Sequence, residues 1–134
     1  MDRMKLDEVL KILSTLKVDR EEFWVVGSTA LLLRGIYPDA ADIDIAVTDK
    51  GLEQIKENYN IEYKDEKWFK VFGKIEAVCD GDKSLLKYKP EKVGDYYLQN
   101  IREYYDFISH STREKDIVRM PLIEEYMNKH NKED

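Results

Sequence analysis

The chain has 134 residues, 43% hydrophobic and 37% charged, which suffices for one domain with its own core and is unlike the composition of a disordered chain. Its 22 basic and 28 acidic residues are interleaved and leave a formal net charge of -6, which excludes a broad duplex-binding face but admits a nucleotide bridged through a cation. The single cysteine, Cys79, excludes an intrachain disulfide or a thiolate zinc cluster, and the expectation is a reducing, cytoplasmic setting.

No apolar run approaches the roughly 18 residues of a membrane span, so no membrane association is expected. Leu6, Val9, Leu10, Ile12, Leu13 and Leu16 recur at intervals of three and four and predict an amphipathic helix from Leu6 to Val18. Phe23-Trp24-Val25-Val26 predicts a buried strand that stops at Gly27, with Ser28 capping a short apolar helix from Thr29 to Arg34. Tyr37-Pro38-Asp39 reads as a turn. Asp42-Ile43-Asp44-Ile45-Ala46-Val47 alternates as a half-buried strand does, so its two carboxylates share a face.

A third helix is expected from Leu52 to Tyr59, then strands over Ile61 to Tyr63, Trp68 to Phe72 and Ile75 to Cys79. After Pro90, the spacing of Val93, Tyr97, Ile101, Tyr104 and Ile108 predicts a helical part over about 90–130. Its tyrosines and Phe107 read as packing residues. Pro121 should kink or restart the last helix, Arg113 to Asn128. Without a repeat or linker, the chain reads as a single α/β domain: a mixed sheet flanked by helices, with a core over about 6–80 and helices behind it.

Three short pieces carry chemistry. Gly27-Ser28 at a strand-to-helix junction offers backbone N–H groups and a hydroxyl at the positive end of a helix, where phosphate is well held. Asp42 and Asp44, two residues apart on a strand, lie about 6–7 Å apart at Cα and can reach around one or two metal ions. If the strand holding Glu76 pairs beside them, its carboxylate completes a triad that could ligate metal or accept a proton. Each piece also has a plain reading: a strand end with an N-cap, a solvated strand face, and the outer side of an alternating strand. The basic residues Arg113, Lys115 and Arg119 read as a solvated face or as groups reaching phosphate oxygens.

In this order the pieces resemble the polymerase-beta-like nucleotidyltransferase superfamily, whose signature is Gly-Gly or Gly-Ser, a spacer, then Asp-x-Asp or Asp-x-Glu on a strand. Here VVGSTALLLRGI and ADIDIAV are joined through a spacer of thirteen residues, Thr29 to Ala41, and look like the small bacterial and archaeal members, of lincosamide type or the minimal antitoxin-like type. The resemblance runs most closely over Phe23 to Val47 and extends to Cys79. It implies the nucleotidyltransferase fold, magnesium or manganese, and transfer of a nucleoside monophosphate from a nucleoside triphosphate such as ATP to an acceptor hydroxyl, with pyrophosphate leaving.

It further implies that Gly27 and Ser28 hold the triphosphate, that Asp42 and Asp44 ligate the metal, and that Glu76 stands at the third acidic position. Lys115-Asp116 looks like the Lys-Asp pair that lincosamide-type members carry near the nucleotide, while Arg119 stands where another acid is common. The chain is short for the family, so an acceptor, either a small molecule or a partner protein, would call for a homodimer or a partner. The alternative within the same fold is a non-catalytic antitoxin or regulatory module, for which a Glu76 turned away from Asp42 and Asp44 would be diagnostic.

Overall fold

A computed structural model of the chain describes residues 3–81 and 88–131. Helix α1 (Leu6–Ser14) leads through a short 3-10 turn (Arg20–Glu22) into strand β1 (Phe23–Val25), helix α2 (Gly27–Leu33), strand β2 (Ile43–Thr48) and helix α3 (Asp49–Asn58). Strands β3 (Glu62–Tyr63), β4 (Trp68–Phe72) and β5 (Ile75–Gly81) form a meander. A hairpin, β6 (Glu91–Val93) and β7 (Tyr96–Leu98), then precedes helices α4 (Ile101–Ser109) and α5 (Glu114–Asn131). The mixed α and β architecture is as expected; the hairpin replaces the first part of the predicted C-terminal helical segment.

The reason for the hairpin is local. Val93 pairs with Tyr96, so Gly94 and Asp95 form a two-residue loop, and Gly94 takes φ 64°, the positive value that tight hairpin turns require at that position. Val93 and Tyr97 therefore belong to two strands. Helical spacing holds only from Ile101 onward, where Ile101, Tyr104 and Ile108 are buried on one side of α4. Pro121 does not restart the last helix, because α5 runs through it without interruption.

The seven strands are ordered β3-β4-β5-β2-β1-β7-β6. The central pair β2 and β5 is parallel, as is the contact of β1 with β7, and the remaining neighbours are antiparallel. Period-two alternation divides the side chains of β2 and its neighbours between two faces. Phe23, Val25, Ile43, Ile45, Val47, Phe69, Ile75 and Ala77 join Val9 and Leu13 of α1 and Ile55 of α3 in the main core. The alternate residues Trp24, Ala46, Asp44, Glu76 and Trp68 lie on the other face.

A second cluster of Leu31, Ile101, Tyr104, Ile108 and Ile123 binds α2, α4 and α5 together. Arg34, at the end of α2, has only 1% of its side chain exposed and bonds Glu91 Oε1 at 2.8 Å. The same oxygen accepts from the Ile101 N–H at 3.0 Å, so β6 is tied to the end of one helix and the start of another. Among the described residues, no helix is long and apolar enough to cross a membrane.

Candidate active site

Gly27 is where β1 gives way to α2. Its φ of 65° lies in the left-handed region that a glycine occupies without steric cost, and a Cβ there would stand 3.7 Å from Asp44 Oδ2. The start of α2 thus lies against the acid on β2. Two further bonds fix this approach: Val26 N–H donates to the Asp44 carbonyl at 2.9 Å, and Thr29 Oγ1 donates to the Asp42 carbonyl at 2.7 Å.

Two expectations about this junction are corrected. The residue in the capping position is Val26, with no side-chain cap, because the helix begins at Gly27, two residues before the expected Thr29; Ser28 lies half-buried in its first turn. Nor is every N–H at this end free for an anion. The Gly27 N–H donates to Gln99 Oε1 at 3.0 Å, which leaves the later amides of the first turn for an incoming phosphate.

The acids converge across two strands. Asp44 and Glu76 are direct Cα partners in the parallel β2–β5 pairing, and exposed Asp42 stands immediately before β2. Burial, then the charges of Glu76 and Asp42, push the Asp44 carboxyl from 3.8 up to about 6, against the opposing pull of Lys64 and Lys115. Lys64 Nζ bonds Glu76 Oε1 at 2.7 Å, and that hydrogen bond raises the Lys64 ammonium above its ordinary range.

Lys115 is exposed in the first turn of α5, and its charge reaches Asp44. Asp116 turns inward: its side chain is fully buried, and it accepts from Ser111 Oγ at 2.6 Å and Arg113 Nε at 2.8 Å. Burial pushes the Asp116 carboxyl up, but those hydrogen bonds and the charges of Arg113 and Arg119 outweigh it and leave it below the usual carboxylate value. Arg119 is likewise buried, donating to Tyr104 Oη at 3.2 Å with its guanidinium 4.8 Å from the centre of the Tyr37 ring. Of the late-helix residues singled out, Lys115 alone is brought toward the acids; Arg113, Asp116 and Arg119 fasten α5 in place.

A cleft of about 220 Å³ opens beside Asp44, lined by Val26, Gly27, Trp68, Gln99, Tyr104 and Phe107. Phe107 is 63% exposed, so it is not the packing residue its helical spacing suggests; it sits at the edge of the apolar side of α4. Lys64, Trp68 and Gln99 were not visible as site residues, because strand pairing or a turn brings Lys64 to Glu76 and Trp68 and Gln99 to the cleft beside Asp44. The only local signals are the out-of-core phase of Trp68 and the polar Gln99 closing an apolar strand. A separate cleft of about 190 Å³ between Gly35, Ile36 and α5 contains none of the three acids.

Carboxylate oxygens are the hard donors that magnesium or manganese take, and such an ion is commonly held through one or two carboxylates together with substrate phosphates. Asp42 and Asp44 fit that donor set. Among the described residues, no group of three or more His, Cys, Asp or Glu side chains is gathered tightly enough to hold an ion alone. No protein-family model, curated protein or solved structure matches the chain.

Proposed function

We propose that the chain is a metal-dependent nucleotidyltransferase that moves a nucleoside monophosphate from a nucleoside triphosphate to an acceptor hydroxyl. The observation that carries this reading is the juxtaposition of four positions: Asp44 opposite Glu76 in β-pairing, Asp42 acting on the same carboxyl, and Gly27 against Asp44 at the start of α2. An ordinary solvated strand face gives no reason for a glycine-led helix to abut its carboxylate.

In this reading Asp42 and Asp44 hold magnesium or manganese, which neutralises charge at the reacting phosphate when bound. Ser28 and the first-turn amides of α2 hold the phosphate tail, and Lys115, whose charge reaches Asp44, adds a cation. Glu76 accepts the proton of the acceptor hydroxyl as its oxygen bonds the α-phosphorus and the bond to the β-phosphate bridge breaks, releasing pyrophosphate. The cleft walled by Trp68 and Phe107 takes the planar base or a ring of the acceptor.

A partner-binding module of the same fold is the competing reading, and the Gln99 bond to the Gly27 N–H favours it, since it occupies one amide of the anion site. Calorimetric titration of each nucleoside triphosphate with magnesium separates the two. Magnesium-dependent binding by the wild type, lost in Asp42→Asn/Asp44→Asn, is the expected result; folded wild-type protein that binds no triphosphate would sink the enzyme reading.

A further inference from the structure

Lys64 is the one cation in direct contact with the acidic group among the described residues. Three carboxylates face the site, and the protein answers one of them: Lys64 Nζ lies 2.7 Å from Glu76 Oε1. Asp42 and Asp44 have no ion pair among the described residues, although the charge of Lys64 also acts on both. Formally the group carries three negative charges and one positive, leaving two for one divalent ion.

The placement of Lys64 is built into the hairpin. It directly follows β3, and its N–H donates to the Trp68 carbonyl at 2.8 Å. Asp65 Oδ1 accepts from Lys67 N and Trp68 N at 2.7 Å each and closes the turn. Strand pairing then sets Trp68 opposite Val78 and Lys70 opposite Glu76, which brings the ammonium to the same side of the sheet as the acids. Glu76 keeps only 17% of its side chain exposed against 41% for Lys64, so the carboxylate is the confined partner and the lysine the one able to withdraw into solvent.

Resting on the nucleotidyltransferase reading, we propose that Lys64 is a resident competitor of the divalent cation for Glu76: it fills the cation's place there, so the resting site offers a metal only Asp42 and Asp44. Its action on cation affinity passes through Glu76. A lysine serving merely as diffuse positive charge would weaken cation binding whether or not Glu76 were present.

The probe is Mn²⁺ alone, titrated against the full chain and followed through the spectrum of the free ion. Lys64→Met should tighten Asp44-dependent Mn²⁺ binding on the order of tenfold, the effect of freeing the Glu76 carboxylate as one further ligand. Lys64→Gln, which keeps a hydrogen-bond donor but loses the charge, should do the same and serves if the methionine variant does not fold. In a Glu76→Gln background the gain should vanish, the signature of pairwise coupling. An unchanged affinity in both lysine variants, or an equal gain without Glu76, overturns the role of Lys64. Wild-type protein that binds Mn²⁺ no better than Asp44→Asn overturns the underlying enzyme reading as well, so the two failures are told apart.

Discussion

Asp44 carries opposed demands in one side chain. It is held in a strand beside a hydrophobic core, which favours the neutral acid, and beside two further carboxylates, which favour it again. The folded-state value is raised above the unfolded one, so between about pH 4 and pH 6 the folded protein keeps a proton that the unfolded chain releases. Stability therefore falls as pH rises through that window and stays lower above it. Asp44→Asn should remove this penalty. The full displacement corresponds to roughly 3 kcal/mol, and solvent screening of a carboxyl that keeps some exposure reduces the expected gain near neutral pH to about 1–2 kcal/mol. Urea denaturation of both proteins in chelator, at about pH 4 and about pH 7, checks it: the difference should appear at the higher pH only, and a variant less stable than wild type at both would contradict the account. Asp42 and Asp44 were legible as a pair because alternation places i and i+2 on one face, whereas Glu76 joined them only on the condition that its strand pairs beside theirs, as β5 does. Lys64 was not, because a contact between residues twelve apart across a hairpin depends on register.

At the scale of elements, legibility followed the range of the forces involved. Strand β4 has the bounds its pattern gives, Trp68–Phe72, because alternation and aromatic content are local properties. The β6–β7 hairpin was hidden because Val93 and Tyr97 mimic helical spacing, although Gly94-Asp95 between apolar residues is a turn signal in its own right. What fixes that hairpin is Glu91, bonding the nearly buried Arg34 and the first N–H of α4. Replacing it with alanine leaves a buried guanidinium and a helix-start amide without their acceptor. Because Glu91 itself is half-exposed, the expected cost of Glu91→Ala is about 2–3 kcal/mol, below that of a fully buried pair. Glu91→Gln, which keeps an acceptor oxygen for both donors, should lose less than half as much. Thermal unfolding of the two variants checks it, and equal losses would show that charge, not hydrogen bonding, does the fastening.

The whole molecule is held by two apolar clusters with different duties. The larger packs α1 and α3 against one face of the sheet and fixes β2 beside β5, which sets Asp44 opposite Glu76. The smaller joins α2, α4 and α5, and it holds in place the helix α4 whose Tyr104, a cluster member, and exposed Phe107 form one wall of the cleft beside Asp44. Cation ligands and cleft wall should then be separable by mutation. Ile123 of α5 is fully buried in the smaller cluster, and Ile123→Ala should cost about 2–4 kcal/mol as its transfer and cavity terms add. That loss should be local: hydrogen exchange should quicken in α4 and α5 more than in β2 and β5, since strand amides open with the larger cluster. Nucleoside triphosphate binding should weaken because the wall bearing Phe107 is loosened, while Mn²⁺ affinity at Asp42 and Asp44 stays at the wild-type value. Uniform acceleration of exchange across strands and helices, with Mn²⁺ affinity lost in step, would mean that the two clusters are one cooperative unit and that the cleft cannot be altered without disturbing the acids.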